Sequence, residues 1–166
     1  SRGDYMEVVF MEPTEEYIIS YSKALDTVAR EKLYLAKLEG FPIDETIPFM
    51  KNAIEKKIPF LLAVSTNTNE VVGWCDTQPK TEKIGYLGLG LLKEYRGRGI
   101  GKSLILAIFQ MGRKFGYEQI DLEVRGSNKR AIYLYRSLGF SEVGTMKNGL
   151  ILGSIIDDVI QMTFKL

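Results

Sequence analysis

The chain of 166 residues has the length of one domain, and with 45% hydrophobic residues it can build a substantial core. Its 22 basic and 21 acidic side chains nearly balance, which argues against a nucleic-acid-binding protein and against a polybasic membrane-surface protein. Histidine is absent, so His-based triads and His-built zinc sites are excluded, and proton transfer falls to carboxylates, Tyr, Cys, Lys, backbone groups or water.

Cys75 is the single cysteine, which excludes an intramolecular disulfide. It reads as a small half-buried hydrophobe. No apolar run reaches the roughly 18 residues of a membrane span, and no signal-peptide pattern opens the chain. The expected location is cytoplasmic, with no membrane partner and no nucleic acid. Residues 1–166 read as a single domain, with Met6 a candidate native start after Ser1 to Tyr5.

Tyr5 to Met11 predicts a short strand stopped by Pro13. Apolar faces containing Ile18, Leu25, Val28 and Leu35 predict one or two helices over Glu15 to Leu38, broken by Gly40 and Pro42. Thr46 to Lys57 predicts a second helical segment. Phe60 to Val64 and Val71 to Cys75 predict a hairpin across a Thr66–Glu70 turn. Pro79 to Lys83 is a polar turn, and Ile84 to Leu92 is a strand rich in glycine. A helix follows through Phe115, ended by Gly116. Gln119 to Val124 is a strand, and Asn128 can cap the next helix, which ends at Gly139. Phe140 to Met146 and Ile155 to Phe164 are final strands, joined across Lys147-Asn148-Gly149. The fold class is a mixed α/β (α+β) sandwich, one sheet flanked by helices.

The chain is organised around Glu94 to Ser103, where a strand ends, a basic glycine-rich turn follows and a helix begins. Free amide groups at a helix N-terminus attract anions. Three glycines admit a phosphate to the backbone, and Arg96, Arg98 and Lys102 add positive charge, so the stretch reads as a pyrophosphate cradle. A nucleotide-triphosphate loop needs a glycine where Arg96 stands. A dinucleotide fingerprint needs a third glycine where Lys102 stands.

Arg96-x-x-Gly99-x-Gly101, between a strand and a helix, resembles the acetyl-coenzyme A signature of the GNAT superfamily of N-acetyltransferases. Asn128, Ala131, Tyr135 and Leu138-Gly139-Phe140 resemble its second signature. Leu122-Glu123-Val124-Arg125 and Asp158-x-x-x-Met162 are similar to bacterial members, ribosomal-protein alanine N-acetyltransferases in particular. The resemblance covers roughly Phe60 to Met162.

It implies a mostly antiparallel central sheet flanked by helices, with a splayed strand pair holding acetyl-CoA as co-substrate and no metal. Gly88 and Gly90 suit a strand that splays. By resemblance, pantetheine pairs with the backbone of Leu89, Gly90 and Leu91. The pyrophosphate lies on Arg96, Gly97, Arg98, Gly99, Ile100, Gly101 and Lys102. Asn128 caps its helix and contacts coenzyme. Tyr135 is the general acid for the departing thiolate, with Tyr133 on another helix face. Glu123 is the candidate general base, although Asp121, Glu123 and Arg125 could equally form a plain charge row on one strand face. Glu94 reads as a loop carboxylate.

The implied activity is acetyl transfer to a small-molecule or peptide amine by direct transfer in a ternary complex. A coenzyme A-binding or sensing module without turnover is the alternative. The acceptor site is expected between the N-terminal helices and the last hairpin, where Glu39, Phe41, Asp44, Glu45 and Asp157 lie. Monomer and homodimer are both open.

Overall fold

The computed structural model describes residues 7–166, so the readings placed on Tyr5 and on Met6 as a start lie outside the described residues. Its elements are β1 (Val8–Met11), α1 (Ile18–Arg30), α2 (Ile43–Lys56), β2 (Phe60–Ser65), β3 (Val71–Pro79), β4 (Ile84–Leu91), α3 (Ile100–Phe115), β5 (Gln119–Arg125), α4 (Lys129–Ser137), β6 (Ser141–Leu152) and β7 (Ile155–Lys165). They form one seven-stranded sheet in the order β1-β2-β3-β4-β5-β7-β6. Only β4 and β5 pair in parallel, because α3 returns the chain across one face between them.

Helices cover both faces. Phe60, Leu62 and Val64 of β2 point to α1 and α2, where they meet Tyr21, Val28 and Met50. Leu61 and Ala63 point the other way, into a cluster with Leu104, Ile105 and Ile108 of α3. A strand buried on both faces reads as an unbroken apolar run, which is why β2 shows no alternation in sequence. Among the described residues no helix is long and apolar enough to cross a membrane.

The second helix begins at Ile43, before the expected Thr46, and three further boundaries differ from the sequence pattern. The helical pattern runs to Leu38, but α1 stops at Arg30 and Lys32 takes φ +62°. Tertiary partners outbid the helix for its groups. Arg125 Nη1 donates to the carbonyls of Lys32 (3.1 Å) and Leu35 (3.5 Å), and the Gly40 N–H donates to Asp26 Oδ1 at 2.8 Å. Strand β3 runs on past Cys75 to Pro79, paired with β4 throughout.

The last hairpin does not turn at Lys147-Asn148-Gly149. Strand β6 continues to Leu152, and the turn falls at Gly153, φ +59°. Asn148, φ +53°, forms a bulge where the register slips between Met146 and Leu150, and its N–H donates to Asp158 Oδ1 at 2.8 Å. A local turn signal is thus used as a bulge, because the apolar run Leu150–Leu152 extends the ladder.

Arg125 also reaches Asp157 of β7 at 3.2 Å, with side chains only 7% and 12% exposed. Burial tends to raise the Asp157 carboxyl, but its bonds from Ser127 and Arg125 prevail and hold it below the usual carboxylate range. A group depressed on folding stabilises above its unfolded pKa, and that contribution is lost as pH falls through the folded one. Asp157→Asn is therefore expected to lower the urea-unfolding free energy at neutral pH by about 3 kcal/mol. The deficit should shrink as pH falls below about 4.

Candidate active site

Three glycines of β4 shape the site from below. An added Cβ at Gly85 would lie 2.6 Å from the Tyr117 ring, at Gly88 2.7 Å from Asp76 Oδ1, and at Gly90 2.3 Å from the Trp74 indole. Each glycine therefore makes room for a neighbouring side chain. The expectation that Gly88 and Gly90 mark the splay is corrected here, since they seat Asp76 and Trp74 of β3.

The splay itself is present and has another origin. β4 pairs with β5 only from Ile84↔Gln119 to Tyr86↔Asp121, after which the strands part. The Leu92 N–H donates to the Val72 carbonyl at 2.8 Å. In this antiparallel register the backbone groups of Leu87, Leu89 and Leu91 then face away from β3, toward the gap, while those of Gly90 face β3. The Leu91 carbonyl is taken by Arg96, through Nε at 3.1 Å and Nη2 at 2.8 Å. Open edge groups remain at Leu89 and at the Leu91 N–H.

Beyond the gap lies the glycine-rich turn. Gly97 and Gly99 take φ +75° and +79°, and α3 begins at Ile100 with no side-chain cap. Its first internal bond runs from the Ser103 N–H to the Gly99 carbonyl at 3.1 Å. The N–H groups of Ile100, Gly101 and Lys102 thus have no acceptor within the helix and point at the turn. Arg98 and Lys102 are exposed beside them. This arrangement fits a diphosphate.

Tyr135 lies in the cluster beneath the sheet, edge-on to Phe140 at 5.6 Å. Burial, then Cys75 and Tyr86, push its hydroxyl well above the ordinary tyrosine range, so it stays protonated at neutral pH. On the opposite face, Tyr86 is raised to about 12, by burial and then by the Glu123 carboxylate beside it. Glu123 is exposed. Its neighbours on that strand face are tied down: Asp121 accepts from Gln119, Thr163 and Lys80, and Arg125 holds Asp157.

Against this face lies a cavity of about 430 Å³ between α1, α2 and the β3–β4 hairpin. Tyr21, Phe41, Phe49, Trp74 and Tyr86 line its apolar walls, and Lys37, Glu45 and Asp76 bring charge. Among the described residues, no group of three or more His, Cys, Asp or Glu is gathered as metal ligands.

The family model for the acetyltransferase (GNAT) family matches residues 25–140. The chain belongs to the GNAT acetyltransferase family. It is 31% identical over 132 residues, 79% of this chain and 86% of the relative, to the [ribosomal protein bS18]-alanine N-acetyltransferase of Haemophilus influenzae. Its fold matches a GNAT superfamily phosphinothricin acetyltransferase of Sinorhizobium meliloti solved with acetyl-CoA, at TM-score 0.87 and 19% identity, covering 97% of this chain and 89% of that one. It also matches a ribosomal-protein-alanine N-acetyltransferase of Brucella melitensis, at TM-score 0.83 and 20% identity, covering 95% and 99%.

The residues that resemble the GNAT signatures divide between the open glycine-rich turn and structural positions. Arg96 is a clasp: its guanidinium pairs with both oxygens of Glu31, holds the Leu91 carbonyl and lies 4.4 Å from the Tyr34 ring centroid. Asn128 caps α4, its Oδ1 accepting from the Ala131 N–H at 3.2 Å. Tyr133 is 77% exposed, away from the gap. Of the residues expected at the acceptor site, Phe41 and Glu45 line the cavity. Asp157 and Glu39 are engaged by Arg125 and Arg30. Cys75 is fully buried, and burial raises its thiol, so it is a core residue without thiolate character.

Two functional candidates are not singled out by sequence. Arg130 of α4 lies on the turn, its Nη2 2.5 Å from where a Gly97 Cβ would stand. Asp76 ends a fully apolar run on β3 opposite a glycine, and that placement was its only signal. A side chain at Gly97 meets both Arg130 and a positive φ. Gly97→Ala is expected to weaken coenzyme A binding roughly tenfold in calorimetry, with little change in far-ultraviolet circular dichroism.

Proposed function

We propose that this acetyltransferase moves an acetyl group from acetyl-CoA directly to a primary amine, with both substrates held in one ternary complex. The observation behind this reading is the parting of β4 from β5 beyond Tyr86 and Asp121. It leaves one gap, and in this reading the glycine-rich turn at its end takes the pyrophosphate, Tyr135 serves from the α4 side and the cavity on the other face takes the acceptor. Among the described residues no thiolate stands in the gap to carry an acetyl group itself, since Cys75 is buried in the core.

Coenzyme would rest its pyrophosphate on the N–H groups of Ile100, Gly101 and Lys102, with Arg98, Lys102 and Arg130 supplying charge. Gly97 and Gly99 keep the turn open for it. The Leu89 edge and the Leu91 N–H would pair with its pantetheine amides. Acetyl-CoA supplies an activated acetyl thioester.

Tyr135 holds a proton at its hydroxyl for the leaving sulfur. A hydroxyl raised by burial remains a donor throughout the neutral range. Glu123 takes the proton that an ammonium must lose before its nitrogen can attack. Tyr86, which lines the cavity and touches Glu123, stands between the acceptor and that exposed carboxylate. The acceptor would enter from the α1–α2 side, walled by Phe41, Phe49 and Trp74, which exclude water from the reacting atoms. A free buried cysteine suits the reducing cytoplasm, where we place the reaction.

The test is release of free thiol from acetyl-CoA in the presence of amines and peptides. Tyr135→Phe should lower kcat by about 10²–10⁴-fold. Its calorimetric affinity for coenzyme A should stay within about threefold of the unaltered enzyme. Loss of coenzyme binding in parallel with turnover would instead make Tyr135 a packing residue, and absence of thiol release with every amine would sink the transfer reading.

A further inference from the structure

We propose that Asp76 receives the amino group of the acceptor as an ammonium, so that the acceptor is a cationic primary amine on a compact apolar stem. This rests on the acetyl-transfer reading above and names the binding group for its second substrate.

Asp76 stands opposite Gly88 in the β3–β4 register, and its Oδ1 occupies the space that a side chain at 88 would fill. The residue is only 7% exposed, and it lines the cavity. Gly88 and Leu89 line that same cavity. The carboxyl is therefore one residue from the strand edge that faces the gap. Anything bound to it lies beside the position where an acetyl group would be presented.

Its surroundings leave it without a side-chain partner. Among the described residues no other side chain hydrogen-bonds it. Lys37, from the segment after α1, is the cation nearest in effect, but its Nζ sits 3.5 Å from the centroid of the Phe41 ring. Glu45 of α2 faces the cavity from the rim. Tyr21 of α1 and Tyr86 of β4 face it as neutral hydroxyls, both raised by burial first. Cys75 and Tyr117, toward the other face of the sheet, are likewise raised by burial first, with Asp76 adding to the effect.

A carboxylate left nearly dry, with no counter-charge in contact, is unfavourable, and burial pushes Asp76 up to about 7 despite the opposing influences of Lys37 and of its own backbone N–H. An incoming ammonium supplies the missing partner, and the ring faces of Tyr21, Trp74 and Phe49 suit both its charge and its apolar stem. Asp76 is thus a binding group, separate from Glu123, which takes the proton.

The probes are 2-phenylethylamine and a short peptide with an N-terminal alanine, each titrated by calorimetry into enzyme saturated with coenzyme A. Asp76→Asn should weaken binding of the ammonium probe about tenfold or more, with coenzyme affinity unchanged. In turnover, the amine KM should rise while kcat changes little. For the unaltered enzyme the amine KM should fall as pH rises through about 7, where Asp76 ionises, and Asp76→Asn should flatten that dependence. Gly88→Ala, which displaces the carboxylate while keeping it, should also raise KM.

Stability provides the folding control. A carboxyl raised on folding stabilises below its unfolded pKa, and that contribution is lost as pH rises through the folded one. Asp76→Asn should therefore melt at or above the unaltered protein near pH 8 and lose that advantage near pH 4. Equal binding of 2-phenylethanol and 2-phenylethylamine, or an amine affinity that Asp76→Asn leaves within about twofold, would overturn the assignment. So would failure of the unaltered enzyme to bind both probes. Binding that depends on Asp76 without thiol release would support the assignment while overturning the acetyl-transfer reading.

Discussion

Everything at the site depends on the β4 edge beyond Tyr86, where β5 has parted from it, and the Arg96 clasp fixes the end of that edge. Its guanidinium ties the Leu91 carbonyl, the last outward-facing acceptor of the strand, to Glu31 just past the end of α1. One side chain thereby joins three parts of the molecule: the strand edge beside the gap, the first residue of the glycine-rich turn, and the helix that walls the cavity. Both partners are largely shielded, at 16% and 23% exposed, and the contact is bidentate, so the pair is more than a surface ion pair. With Leu91 held from this side, the far end of the β4 edge is fixed beyond the point where β4 and β5 part, and the Leu89 edge groups stay open toward the gap.

The glycines of β4 serve the same end by a different route. A strand with side chains at positions 85, 88 and 90 could not accept Tyr117, Asp76 and Trp74 from its neighbours. Because it does, the face toward α1 and α2 carries an indole and a carboxyl where a regular strand would carry its own side chains. Gly85 does the equivalent for the other face, where Tyr117 also bonds Thr77 at 3.1 Å. The strand itself supplies backbone edge and space, while its neighbours supply the chemistry.

This explains which parts of the molecule can be read from sequence. Element order is legible because periodicity and glycine or proline breaks are local signals, and the cradle is legible because turn, glycines and helix start are contiguous. What sequence reading places differently is set by distant partners. The helix ending at Arg30 is decided by Arg96 and Arg125, 65 and 93 residues away from their acceptors at Glu31 and Lys32. The bulge at Asn148 is decided by Asp158 across the hairpin. In the cradle signature, Arg96 looks like one more cation for phosphate, and nothing in its own neighbourhood announces Glu31.

The cavity side is the harder half to read for the same reason. Its walls come from α1, α2, β3 and β4, which are far apart in sequence, and its charges matter only through what they lack. Asp26, Asp121 and Asp157 are each bound by neighbours that hold the carboxyl below its usual range. Asp76 alone among these four is pushed the other way. Four aspartates that are equivalent in composition therefore differ in the sign of their contribution to stability as pH rises. Three are structural ties that strengthen as they ionise, whereas Asp76 strains the fold when it does. A fold that keeps such a residue at the floor of an open cavity, beside the strand edge that faces the gap, accepts that strain where a cation from solution can relieve it.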